Sequence, residues 1–237
     1  MREWQADLLM LVESDQEEQR LFDQIAATAK QLGFDYCAYG ARMAYPLAVP
    51  QLRLWNNYPQ SWQDCYQHHR YIQTDPTVEH GRRSRAPIVW SDAVFAKTPE
   101  LWADARDHGL RVGWAQSTLD PQGVCGMLTL ARAHNPLSDI EINDRAQKMH
   151  WLTQICHFAM SHRMTSKMRV VQNIELTKRE REVLQWTADG KTSGEMAEIL
   201  NLSEHTINFH LKNAICKLKT ANKTAAVIKA ARLGLLE

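Results

Sequence analysis

Residues 176–218 read LTKREREVLQWTADGKTSGEMAEILNLSEHTINFHLKNAICKL, and this stretch contains three helix starts. The segments TKRE (177–180) and TSGE (192–195) each place a threonine three residues before a glutamate, which is the capping-box pattern of a helix N-terminus. Ser203 begins a third helix, whose apolar residues recur on one face. These signals predict four helices, which cover about residues 178–188, 193–200, 204–218 and 223–233.

Two short helices joined by a tight connection, the second longer and polar on its outer face, are typical of a helix-turn-helix. On that outer face, Asn208 can bind adenine through paired hydrogen bonds, and Lys212 can reach guanine or a phosphate. A plain four-helix bundle with a solvated polar face has the same periodicity. The pattern alone therefore leaves both interpretations open.

The same stretch resembles a LuxR-type DNA-binding domain, with Glu180, Leu184 and Gly190 at the positions of that family's hallmark residues. The resemblance covers residues 176–237 and makes 203–218 the recognition helix of the DNA major groove. Together with the polar outer face of that helix, this gives a set of candidate DNA contacts, in which Lys191 and Thr206 are expected to contact phosphate groups. That set consists of Lys191, Thr192, Glu204, His205, Thr206, Asn208, Lys212 and Lys217.

Composition sets the broad class of the chain. The 237 residues allow one or two domains, and 44% hydrophobic with 23% charged residues excludes collagen-like, disordered and disulfide-scaffold proteins. No apolar run approaches the ~20 residues of a membrane span, and the N-terminal residues lack a signal-peptide pattern. Residues 176–237 carry 10 Lys/Arg and 7 Asp/Glu, whereas residues 1–175 carry 18 and 20, so the helix-turn-helix segment is the more basic part.

The cysteines and histidines argue against catalysis. Five cysteines without C-x-x-C spacing indicate reduced thiols and a cytoplasmic protein. The ten histidines form no H-E-x-x-H motif and no finger-type pairing with cysteine, so neither a metal site nor a cofactor is predicted. A lactone hydrolase is the competing class, but G-x-S-x-G is absent and Cys125 has no assigned base. The chain is therefore predicted not to be an enzyme.

The first 165 residues alternate between helix and strand signals. Helices are predicted over residues 2–13, 17–32, 99–108 and 137–161, with a short one starting at Tyr58-Pro59, and strands over 34–42, 51–56, 86–90, 111–119 and 124–132. The predicted fold class is α+β: an N-terminal α/β/α sandwich with a mixed or antiparallel sheet, followed by an all-α four-helix domain. The predicted boundaries are a sensor domain at 1–165, a linker at 166–175 and a DNA-binding domain at 176–237.

Aromatic and polar residues in the N-terminal part suggest a small-molecule pocket. Tyr58, Trp62 and Tyr66 lie four residues apart on one helical stripe, and Asp75-Pro76 follows in a predicted extended stretch. Aromatic side chains with a few polar groups are what such a pocket requires. An apolar-tailed amide with a lactone ring could take donors from Tyr58 and Trp62 and an acceptor from Asp75. A plain aromatic core would give the same pattern.

The order and spacing of these residues resemble the autoinducer-binding domain of LuxR-type quorum-sensing regulators. By this resemblance, Trp62 and Tyr58 bind the lactone and amide carbonyls, Asp75 binds the amide N–H, and Trp90 packs on the ring. With the residues that the aromatic and polar pattern itself suggests, the candidate ligand-binding residues are Tyr58, Trp62, Tyr66, Asp75, Thr77, Trp90, Trp102, Leu110, Gly113 and Thr129.

Four further positions concern the acyl chain of such a ligand. Ala38 stands where several relatives place a polar residue that helps bind a substituted chain. Cys37, Cys125 and Met127 are small or flexible apolar residues near the expected acyl tunnel.

The sequence therefore predicts a cytoplasmic quorum-sensing transcription regulator, either activator or repressor. Its expected partners are an N-acyl-homoserine lactone, double-stranded DNA at a partly palindromic site, a second copy of the chain through the helix at 137–161, and RNA polymerase, but no membrane. The alternative is a LuxR-type regulator that acts without ligand, is released from DNA by it, or senses a different small molecule. A phosphorylated receiver domain is disfavoured because the chain begins with two helices and lacks an early acidic pair.

Overall fold

The computed structural model describes residues 17–43, 51–121, 123–171 and 174–236. The helix predicted over residues 2–13 lies outside the described residues. The chain separates into two compact units, one built from residues up to Thr165 and the other containing Ser166–Glu237. Within the described part of the chain, no helix is both long and apolar enough to cross a membrane.

The first unit has the predicted α+β composition. Its helices are α1 (Glu18–Gln31), α2 (Gln60–His68), α3 (Pro76–Arg83), α4 (Pro99–Asp107) and α5 (Asp139–Val171), with a 3-10 turn at Tyr71–Gln73; the last residues of α5, from Ser166 onwards, are counted with the second unit. Its strands are β1 (Tyr36–Arg42), β2 (Leu52–Asn56), β3 (Ile88–Val89), β4 (Val112–Leu119) and β5 (Cys125–Arg132). They form one sheet in the order β2-β1-β5-β4-β3, and every neighbouring pair is antiparallel.

Helices cover both faces of this sheet. Successive side chains of a strand point to opposite sides, so the strands supply contacts to the helices on each face. On one face, the Tyr39 hydroxyl lies 2.8 Å from Nδ1 of His157 on α5, and Gln116 meets His150 on the same helix. On the other face, the Ser117 hydroxyl donates to the carbonyl oxygen of Ser84, directly after α3. The predicted three-layer sandwich is confirmed.

The start of α5 is tied to the sheet by a half-buried ion pair. The Arg132 guanidinium donates to both carboxylate oxygens of Glu141 at 2.7 Å, and Ser138 caps the helix by accepting the Glu141 N–H. The helix runs past its predicted end at residue 161, so residues 166–171 of the predicted linker are helical. Met164, beyond the predicted end, continues the buried face that includes Met160.

The second unit is a bundle of four helices at the predicted positions: α6 (Lys178–Ala188), α7 (Ser193–Leu200), α8 (Glu204–Lys217) and α9 (Lys223–Arg232). Both predicted capping boxes form, at Thr177 with Glu180 and at Thr192 with Glu195. The apolar face predicted for the third helix is buried in the bundle core, where Ile207 packs with Leu184.

Candidate functional site

The face of the sheet opposite α5 carries short side chains at its centre. Ala38 of β1 lies opposite Thr129 of β5, which lies opposite Ala115 of β4. In the neighbouring row, Ala131 lies between Tyr36 and Gly113. Short side chains leave space above a sheet, and this face is therefore suited to be the floor of a pocket.

Above this floor lies a cluster of aromatic and aliphatic residues from α2, α4 and the segments around them. It brings together six of the predicted ligand-binding residues: Tyr58, Trp62, Tyr66, Trp90, Trp102 and Leu110. The sequence did not identify Tyr36, Tyr71 and Phe95, which belong to the same cluster. Tyr71 and Phe95 lie in a 3-10 turn and an irregular segment, where helical or strand periodicity gives no signal.

Three side-chain donors in this cluster, two indole N–H groups and one tyrosine hydroxyl, have no hydrogen-bond acceptor among the described residues. Trp90 Nε1 is buried without a hydrogen-bond partner, and Trp62, which is 5% exposed, contacts its neighbours through its ring faces and edges. Tyr58 forms its hydrogen bonds through its backbone, and burial raises the pKa of its hydroxyl, which keeps the proton. A buried donor without an acceptor is costly, as at Trp90 Nε1, and the unbonded donors of Trp62 and Tyr58 are candidates to bind carbonyl oxygens of a ligand.

Asp75 is held in place by two neighbours. One carboxylate oxygen accepts from the Thr77 N–H (2.8 Å) and hydroxyl (2.6 Å), and the other accepts from the Tyr66 hydroxyl (2.9 Å). Burial and the nearby Asp75 charge raise the pKa of Tyr66, which stays a neutral donor. Since a carboxylate has about four acceptor positions, Asp75 can accept one further N–H.

The prediction of an extended stretch at Asp75-Pro76 is wrong from residue 76 onwards. Asp75 itself has extended backbone angles, but it caps α3, and Pro76 is the first helical residue. Proline suits this position because its fixed φ matches the helix, and because it lacks the backbone N–H that would have no acceptor in the first helical turn.

Trp90 is wedged against the sheet at Gly113. A Cβ at residue 113 would overlap the Trp90 indole, so only glycine allows this approach. Trp102 packs face to face with Phe95 (ring centroids 4.6 Å apart) and donates its N–H to Asp92 at 2.6 Å. Trp102 is therefore part of the wall of the cluster, and its indole N–H already has an acceptor in Asp92.

The residues expected near an acyl tunnel do not all lie on the same face of the sheet. Met127 lies on the pocket face, where its sulfur would be 3.1 Å from a Cβ at Gly81. Cys37 precedes Ala38 on β1 and therefore points to the opposite face, in a fully buried position. The expectation that Cys37 lines the tunnel is not supported by this arrangement, whereas Cys125 shares the alternation of Met127.

The polar face of α8 is the candidate DNA interface. Glu204, His205, Asn208 and Lys212 are exposed there, together with Phe209, which is 56% exposed and was not singled out from the sequence. The Ser193 hydroxyl donates to Asn208 Oδ1 at 2.9 Å, which links α7 to α8.

Three of the other predicted DNA contacts lie near helix starts. Thr192 caps α7, Thr206 hydrogen-bonds with the cap residue Ser203 of α8, and Lys191 lies 3.8 Å from Glu195. These positions place donors beside two helix N-termini, where phosphate groups bind readily.

Lys217 differs from its predicted role. Its ammonium group donates to the carboxylate of Glu180 at 2.8 Å and to the carbonyl oxygen of Glu175 at 3.1 Å. Glu180 is only 3% exposed, so this contact neutralises a buried charge and ties α8 to α6. The geometry favours a structural role for Lys217, because its charge is directed into the bundle.

Comparison with known proteins matches two regions of the chain to two families. Residues 17–160 match the family described as "Autoinducer binding domain", and residues 175–230 match "Bacterial regulatory proteins, luxR family". The transcriptional activator protein AnoR of Acinetobacter nosocomialis is 46% identical over 239 residues, which cover 100% of both chains.

Solved structures of similar proteins share the fold. A crystal structure of Escherichia coli SdiA superposes with a TM-score of 0.79 at 33% identity and covers 99% of this chain and 98% of that chain. A further SdiA structure is described as a complex with octanoyl-rac-glycerol. CepR2 of Burkholderia cenocepacia, described as an N-acylhomoserine lactone dependent LuxR family transcription factor, has a TM-score of 0.62 at 30% identity and covers 68% of this chain and 95% of that chain.

Proposed function

The chain belongs to the LuxR family of bacterial regulatory proteins, with an autoinducer-binding domain before the family's DNA-binding domain, and from this premise we propose that it senses an N-acyl-homoserine lactone. It is a ligand-responsive regulator of transcription and not an enzyme. The lactone, the dimer and the palindromic DNA site are the parts of this function that we propose.

The set of free donors above the small-residue floor carries the proposal. A lactone and an amide carbonyl can accept from Trp62 and Tyr58, the amide N–H can donate to Asp75, and the lactone ring can pack on Trp90. Tyr66, Thr77 and Gly113 hold Asp75 and Trp90 in position, while Trp102, Leu110 and Thr129 complete the walls and floor. A site of this kind rejects analogues that leave one of its polar groups unpaired.

Ligand binding is coupled to DNA binding through folding and dimerisation. A ligand that binds only the folded state stabilises it by about 2.7 kcal/mol at a hundredfold excess over Kd. The copies pair through α5, on which Ile140 and Phe158 are 75% and 54% exposed.

In the proposed dimer, the two α8 helices enter successive major grooves about 34–36 Å apart. The DNA surface comprises Lys191, Thr192, Glu204, His205, Thr206, Asn208 and Lys212. The chain acts in the cytoplasm, where it meets DNA and RNA polymerase.

Thermal unfolding of the full chain with lactones of graded acyl length tests the ligand. We expect a rise in Tm that peaks at one chain length and is reduced in Trp62→Phe, which loses a donor. Trp55→Phe is the matched control, because Trp55 stacks on Tyr39 on the other side of the sheet. Protein that folds and binds DNA but is not stabilised by any lactone would refute the proposed ligand.

A monoacylglycerol is the second candidate ligand, since the SdiA complex contains octanoyl-rac-glycerol. Its ester carbonyl could accept from the same donors, but it has no amide N–H for Asp75. Stabilisation by octanoyl-rac-glycerol, with no response to lactones, would assign the site to this class.

A further inference from the structure

Three side chains of metal-binding type meet where α2 and α4 lie side by side. Cys65 and His69 are four residues apart at the end of α2, so they share one face, and Asp104 of α4 lies opposite them. Cys65 Sγ is 3.6 Å from His69 Nδ1 and 3.4 Å from Asp104 Oδ2. His69 Nδ1 and Asp104 Oδ2 are 4.0 Å apart.

These distances are close to those of a tetrahedral metal site. Zn²⁺ binds sulfur at about 2.3 Å and nitrogen or oxygen at about 2.0–2.2 Å, so tetrahedral ligand atoms lie roughly 3.4–3.6 Å apart. Both distances from the Cys65 sulfur already have this value. The distance between His69 Nδ1 and Asp104 Oδ2 must shorten by only about 0.5 Å. We propose that Cys65, His69 and Asp104 bind a divalent transition metal ion of the Zn²⁺ type, with water as the fourth ligand.

The surroundings orient the carboxylate and admit an ion. The Tyr71 hydroxyl donates to Asp104 Oδ2 at 2.6 Å, which is the kind of supporting hydrogen bond that metal-bound carboxylates receive. The side chains of His69 and Asp104 are 50% and 35% exposed, so an ion can reach them from solvent. Metal binding replaces the thiol proton of Cys65 and the hydrogen bond between His69 Nδ1 and the Cys65 carbonyl oxygen.

The metal site lies on the outer side of the aromatic cluster. The Tyr71 ring stacks on His69 (centroids 5.1 Å apart) and on Trp62 (6.3 Å apart), so one ring separates the metal ligands from the candidate pocket. A bound ion would therefore restrain the Tyr71 ring, against which Trp62 packs. The site itself does not depend on which small molecule the pocket binds.

Titration of the reduced, metal-free full chain with Co²⁺ tests this site, because a cobalt–thiolate bond gives a charge-transfer absorption band. We expect one equivalent of Co²⁺ to produce this band and Zn²⁺ to remove it by competition. Cys65→Ser should abolish the band, and His69→Gln and Asp104→Asn should each weaken binding by ~10-fold or more.

Cys216→Ser and His134→Gln are the matched controls, since both residues are exposed and lie outside the cluster. Both should bind Co²⁺ like the unmodified chain, and circular dichroism verifies that all variants fold. Absence of the thiolate band in the unmodified chain, or an equal band in Cys65→Ser, would overturn the proposal. Neither result depends on a response to lactones.

Discussion

Replacement of Gly113 by alanine tests whether the close approach of Trp90 to the sheet shapes the pocket. The new Cβ would overlap three ring atoms of the indole, so Trp90 must move. Its retreat is limited by the perpendicular rings of Phe95 (5.9 Å) and Trp102 (6.2 Å). Its backbone N–H also donates to the Gly113 carbonyl oxygen at 2.8 Å, which fixes the end of β3 beside β4.

The cost follows from this crowding. Overpacking of a well-packed core destabilises a protein by about 1–3 kcal/mol. A unit of this size loses about 2–4 °C in Tm per kcal/mol, so the first unit of Gly113→Ala should unfold about 2–12 °C lower. The displaced indole would also enter the ligand space, and ligand-induced stabilisation should be lost. Thermal unfolding with and without the stabilising ligand measures both effects.

Gly40→Ala is the matched control on the neighbouring part of the sheet. A Cβ there would meet only a Leu54 methyl group at 3.6 Å, an ordinary contact. Its Tm should stay unchanged or rise, since alanine stabilises a strand by roughly 0.5–1 kcal/mol relative to glycine. If Gly113→Ala unfolds at the wild-type temperature and still responds to ligand, the reasoning about Trp90 is refuted.

Three further predictions concern single residues. Asp75→Ala should lose the cap of α3, at a cost of about 1 kcal/mol, and should also lose the ligand-induced rise in Tm. Asp64→Ala, at an exposed position, is the control. A normal ligand-induced rise in Tm in Asp75→Ala would exclude Asp75 from the pocket. Lys212→Ala should weaken operator binding and lower the salt-dependence slope by about 1, with Lys30→Ala of α1 as control; unchanged affinity would exclude Lys212 from the interface. Burial alone would raise the pKa of Glu180, but the hydrogen bonds from Lys217 and Thr177 outweigh it and lower the pKa. This carboxylate therefore stabilises the second unit at pH values above its unfolded pKa, and the stabilisation is lost as pH falls through the folded pKa. Lys217→Met should therefore weaken hydrogen-exchange protection of α6 at neutral pH and flatten its decline in acid, and identical pH profiles would contradict this assignment.

The second unit was predictable from sequence because its signals are local. Thr177, Thr192 and Ser203 each form the predicted cap with residues three positions later. The role of Lys217 was not predictable, since its partner Glu180 is 37 residues away and meets it only in the folded bundle. An exposed lysine on a polar helix face gives no local sign of such a contact.

The first unit was predicted less completely. The strands and the aromatic stripe of α2 follow periodicity, but α3 contains Gly81 and begins at a proline, so its helical signal is weak. Helix α3 packs closely on β4 and β5, since a Cβ at Gly81 would lie 3.1 Å from the Met127 sulfur and 3.3 Å from Ser117 Cβ. The metal-type cluster was missed for a related reason: Cys65 and His69 are close in sequence, but Asp104 joins them only through packing of α4.

The strand order has a consequence for how a new chain folds. Strand β1 pairs with the central strand β5, and the first partners, Tyr36 and Ala131, are 95 residues apart in sequence. At a synthesis rate of about 5–20 residues per second, β1 emerges roughly 5–20 s before its partner. Such long-range antiparallel pairing is also intrinsically slow. During this interval, the fate of each nascent chain depends on competition between strand pairing, aggregation and proteolysis, and thus on rates more than on equilibrium stability.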